Sequence, residues 1–74
     1  MDRNKILNLW MLAIELKRLT RAKDVRINVA RNEIIINKKR LGKKEFKSML
    51  DKLEGKSSLD ARILKMLISD VLEH

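Results

Sequence analysis

Between Asn4 and Leu19 the apolar residues Ile6, Leu7, Leu9, Trp10, Met11, Leu12, Ala13, Ile14, Leu16 and Leu19 recur at helical spacing and predict a first helix. A helix facing one core carries an apolar stripe about 100° wide, whereas the run Leu9 to Ile14 goes round the whole circumference. Such a helix wants cover on two sides. From Val25 to Lys38 the period changes to alternation, in VRINVARNEIIINK. With Arg31 and Asn32 as a two-residue turn, Asn32 taking a positive φ, Val29 pairs with Ile34 and Ile27 with Ile36. Both apolar pairs then share one face, and Arg26, Asn28, Ile35 and Asn37 share the other.

Glycine punctuates the chain only at Gly42 and Gly55, and proline is absent. After Gly42, Phe46, Met49, Leu50 and Leu53 stand at i, i+3, i+4 and i+7, predicting a short amphipathic helix capped at its C-terminus by Gly55. Ser57, three residues before Asp60, then opens a last helix with Leu59, Ile63, Met66, Leu67 and Val71 inward. The fold class expected is α+β, in the order helix, β-hairpin, helix, helix, as one small domain over residues 1–71 that dimerises through its N-terminal helix. The ending Leu72-Glu73-His74 reads like the start of a polyhistidine expression tag.

Composition narrows the chemistry. With 74 residues there is one domain, and a domain this small buries only about 60% of its unfolded surface, so a partner is expected to supplement its stability. No cysteine is present for a disulfide or a thiolate metal site, and the one histidine is His74. Without tyrosine either, and with carboxylates scattered singly, no catalytic constellation or cofactor site is expected. Two glycines cannot make a Walker loop or a dinucleotide fingerprint. The longest apolar run, Leu9 to Ile14, is far short of the ~20 residues a bilayer needs, so a cytoplasmic chain without a membrane partner is expected.

Charge is where the sequence is most informative. The net charge is +8, but residues 1–47 carry 14 Lys and Arg against 5 Asp and Glu, whereas residues 48–74 carry 4 against 5. The excess therefore sits on the first two thirds, where it attracts polyanions. Lys38, Lys39, Arg40, Lys43 and Lys44 crowd around Gly42, and Lys17, Arg18, Arg21, Lys23, Arg26 and Arg31 precede them. Lysines in a connection ordinarily serve solubility and edge protection. Here the cluster leads into the second helix, whose free N-terminal N–H groups can hold a phosphate, so nucleic acid is the favoured partner. On the hairpin's polar face Arg26, Asn28 and Asn37 are residue types that read base edges from a ribbon. Single strands are less attractive, because the only aromatics are Trp10 and Phe46, both at core-like positions.

The strand from Glu33 to Lys39, the helix from Lys43 to Glu54, Gly55 and a capped helix from Ser58 together resemble a ribbon-helix-helix repressor over about half the chain. The resemblance implies a strand paired with its copy across a dimer. Residues Val25 to Val29 supply an in-chain partner instead and the first helix has no counterpart, so it stands as an alternative architecture.

The expectation is a non-enzymatic duplex-DNA-binding module, a transcriptional regulator or an accessory factor. It would act as a homodimer with Leu9, Trp10 and Ile14 near the interface, and would need neither cofactor nor small-molecule substrate. RNA or the ribosome is the alternative polyanion. A protein-interaction module docking through the first helix is the alternative class.

Overall fold

A computed structural model describes residues 3–73. Helix α1 (Arg3–Thr20) buries Leu9, Leu12, Ala13 and Leu16, at i, i+3, i+4 and i+7. It also leaves Leu7, Trp10, Met11 and Ile14 between 43% and 61% exposed, at the same spacing on its far side. The excess apolar circumference is thus a second stripe. Leu9, expected near an interface, is fully buried in the core, so of the three expected interface residues only Trp10 and Ile14 lie on the surface. The helix stops where Arg21 turns left-handed at φ 57°, after the Thr20 hydroxyl donates to Leu16 O at 2.7 Å.

Strands β1 (Val25–Asn28), β2 (Glu33–Ile36) and β3 (Lys39–Leu41) form an antiparallel sheet in the order β1-β2-β3. The expected hairpin exists, but Ile27 pairs with Ile34 and Val25 with Ile36, two residues out of the expected register. The loop is the cause: it has four residues, Val29 to Asn32, with Asn32 as the left-handed residue at φ 54°. Asn32 N–H donates to Val29 O at 3.2 Å, and Arg31 N–H donates to Asn28 Oδ1 at 3.2 Å. A shift of two preserves the alternation, so Val25, Ile27, Ile34 and Ile36 still face the core.

The third strand was not foreseen. Asn37 and Lys38, at φ 49° and 71°, make a two-residue turn of the kind that takes positive φ at both centres, and it pairs Ile36 with Lys39. The middle of the stretch expected to be a basic connection is therefore a strand, and Lys43 and Lys44 at its end already belong to the next helix. With β2 paired on both sides inside one chain, it has no edge to offer a copy, which removes the ribbon-helix-helix alternative.

Helix α2 (Lys43–Leu53) buries Phe46, with Met49, Leu50 and Leu53 packed against the core as expected. It ends in a turn with Glu54 at φ −57°, ψ 130° and Gly55 at φ 82°, closed by Lys56 N–H to Leu53 O at 3.0 Å. That is a type II turn, which needs the positive φ that glycine supplies. Helix α3 (Leu59–Glu73) is capped by Ser58, whose Oγ accepts Ala61 N–H at 3.2 Å, one residue after the expected Ser57. Its buried face is Ala61, Leu64, Leu67, Ile68 and Val71, while Leu59 and Met66, expected inward, are 72% and 56% exposed. The helix runs past the expected domain limit, with Leu72 packed against the core; His74 lies outside the described residues.

α1 packs on β1, β2 and α3, and α2 packs on β3 and α3. Helices α1 and α2 thus cover one face of the sheet, with α3 packed on both of them, and the other face is left to solvent. Among the described residues no helix is long and apolar enough to cross a membrane.

Candidate nucleic-acid interface

The uncovered sheet face is built by register. Arg26 pairs with Ile35 and Ile35 with Arg40, so two arginines flank one isoleucine across the three strands. With strands about 4.8 Å apart, the two backbones stand about 10 Å from each other. Arg26 makes only a long contact to Asp24 Oδ1, at 3.5 Å, with its side chain 75% exposed.

One end of the sheet gathers more charge. Asn37 N–H donates to Asp24 O at 2.9 Å, which ties the β2–β3 turn to the α1–β1 connection. Lys38 in one and Arg21 and Lys23 in the other therefore share that end. Arg31 is carried away to the opposite end, where the Asn32 amide nitrogen of the same loop donates to Val71 O at 3.0 Å and so helps cap α3. Asn28 is also at that end, half-buried and already accepting from Arg31 N–H, whereas Asn37 sits in the turn at the other. The two asparagines thus do not stand side by side on one ribbon.

Arg18 has a structural tie. Its guanidinium donates to Glu15 on its own helix and to Asp60 Oδ1 at 2.7 Å, fastening α1 to the start of α3. The Glu15 carboxylate, and then that of Asp60, holds the group charged even more firmly than an ordinary arginine. By contrast, among the described residues no carboxylate lies within ion-pair distance of Lys17, Arg21, Lys23, Lys38, Lys39, Arg40, Lys43 or Lys44, all of them exposed.

The start of α2 differs from expectation. Gly42 N–H donates to Glu45 Oε1 at 2.7 Å, so this helix brings its own carboxylate to its N-terminus, where a phosphate was expected. Beside it lies an open groove of about 360 Å³ between β3 and α2. Lys39, Lys44 and Lys52 surround it, with Leu41 and Met49 as apolar lining and Ser48 between the two helical lysines. Lys52 was missed in the sequence, although Lys44, Ser48 and Lys52 stand at i, i+4 and i+8 on one helix face.

No protein-family model, curated protein or solved structure matches this chain.

Proposed function

We propose that this protein binds duplex nucleic acid, DNA before RNA, through the open sheet face and the end of the sheet that adjoins it. The observation that carries the reading is a row of arginines at Arg26 and Arg40, continuous with Arg21, Lys23 and Lys38, of which only Arg26 has even a long ionic contact. Exposed cations without carboxylate partners keep their full attraction for phosphate and release the duplex's counterions on binding. Apart from Ile35 the row is polar, so the chemistry favours backbone contact over base reading. A regulator or accessory factor that recognises duplex in this way gains affinity by doubling its surface. The stripe Leu7, Trp10, Met11 and Ile14 is the surface on which two copies would pair.

An anisotropy titration with random duplex DNA, repeated with duplex RNA, tests the reading. Affinity should fall with salt at a slope of about −0.9 per phosphate neutralised, and Arg26→Ala or Arg40→Ala should each reduce that slope by about one unit. A salt-independent affinity, or one untouched by the double alanine variant, would refute it.

The exposed stripe on α1 also favours a second reading, in which this helix docks into a larger protein. It accounts for the apolar residues equally well but leaves the unpaired cations without a role.

A further inference from the structure

We infer that the groove between β3 and α2 receives an extended, acidic segment of a partner protein, which adds to the sheet at Arg40. The inference stands apart from the duplex reading and begins with backbone parity. Asn37 N–H bonds to Asp24 O, so hydrogen-bonded pairs between β1 and β2 fall at every second position from there, and Ile35 directs both its peptide groups to Arg26. Ile35 therefore has none for Arg40 across the other ladder, and the N–H and C=O of Arg40 point away from β2 over the open edge. The next outward-facing residue, Gly42, has both groups engaged, its N–H by Glu45 and its C=O by Phe46 N–H. Arg40 thus offers one donor and one acceptor to an incoming strand.

The groove beneath that edge says what the strand carries. Lys39 and Leu41 are two apart and project from β3 to the core-facing side, and Lys44, Lys52 and Met49 face them from α2. An extended segment placing an acidic, an apolar and an acidic residue at alternate positions meets the lysines with its charges and Leu41 and Met49 with its apolar side chain. The acid already present, Glu45, is committed to Gly42. Other occupants fit less well. A helix bonds its own peptide groups internally and would leave the Arg40 donor and acceptor unmatched. A nucleic-acid backbone would leave the apolar lining unmatched and set its phosphates against the Arg40 carbonyl. A second copy paired edge to edge at Arg40 would oppose arginine to arginine, and like charge on an edge is a usual means by which edge strands avoid self-association.

The probe is a capped heptapeptide, Thr-Glu-Thr-Leu-Thr-Glu-Thr, titrated into the full chain without DNA. Saturable binding below about 1 mM is expected, with slowed hydrogen exchange at the Arg40 amide. The double variant Lys44→Gln, Lys52→Gln should weaken binding about tenfold, whereas Arg26→Gln, on the opposite sheet face, should change it less than about twofold. Replacing the peptide's Leu by Ser, or the Thr after it by Pro, should abolish binding. Equal losses at Arg26 and at the lysines would mean charge attraction alone and overturn the proposal. So would an unprotected Arg40 amide, full binding by the proline peptide, or tight binding of an inorganic phosphate that competes with the peptide. Duplex affinity, measured separately, fails or holds regardless.

Discussion

Among the described residues, four other than glycine take a left-handed backbone, Arg21, Asn32, Asn37 and Lys38, and each sits where the chain reverses. Only the asparagines are suited to it by type, because a short polar side chain tolerates αL, whereas a long one loses about 1–2 kcal/mol there. Arg21→Gly should therefore raise stability by about 0.5–1 kcal/mol after the entropy that glycine loses on folding, read as a higher urea midpoint at unchanged slope. An unchanged or lower midpoint would mean that Arg21 makes some compensating contact in solution. Asn32 behaves differently. Its φ alone would make glycine an innocuous replacement, but its amide also donates to Val71 O, so Asn32→Gly should lose about 1 kcal/mol and Asn32→Val more. Equal stability of wild type and Asn32→Gly would show that this bond contributes nothing. Positive φ at Asn32 could be read from residue type; the hydrogen bond could not, since it joins positions 39 apart in sequence.

At the level of elements, the helices were legible because apolar spacing and glycine punctuation agree, and β1 and β2 because alternation survives an error of two in register. Strand β3 was hidden for a physical reason. Three residues give too short an alternation to recognise, and its turn uses Asn-Lys where Asn-Gly is the usual signal. The inward face of α3 was legible at Ile63, Leu67 and Val71 but not at Leu59 and Met66, because its sequence offers two apolar stripes, Leu59, Ile63, Met66 and Ala61, Leu64, Ile68, Val71, with Leu67 beside both. Packing against α1 and α2 selects the second, and periodicity cannot. Leu67→Ala should accordingly cost about 2–5 kcal/mol, and Met66→Ala less than about 0.5 kcal/mol, in paired denaturant titrations. The opposite ranking would reverse the helix. Gly55 isolates a backbone effect: a Cβ there would meet no atom within 4 Å, yet Gly55→Ala should still cost about 1 kcal/mol through φ 82° alone.

For the whole molecule, what the sequence located was charge, and what it could not locate was which charges end up together. Arg18 and Arg31 belong to the basic run that precedes the cluster, but one ties α1 to α3 and the other is turned to the far end of the sheet. Lys52, outside that basic run, joins Lys39 and Lys44 from one face of α2. Assembly is the remaining question at this scale, and the burial difference between neighbours on α1 makes it testable. Leu9 is fully buried and Ile14 is 61% exposed, so Leu9→Glu should unfold the chain at any concentration while Ile14→Glu leaves its circular dichroism intact. If two copies pair through Leu7, Trp10 and Ile14, Ile14→Glu should sediment as a monomer at micromolar concentration where the wild type is a dimer. Salt gives a second, opposite signature. Arg3 and Lys17 extend the same 3-4-3-4 spacing at the two ends of the stripe, so either direction of pairing sets cation against cation. Dimerisation should then strengthen as salt rises from 50 to about 300 mM, over the range in which duplex binding weakens. A wild type that stays monomeric across that range would remove self-pairing and leave the stripe to a different protein, with the duplex contacts then made by one copy alone.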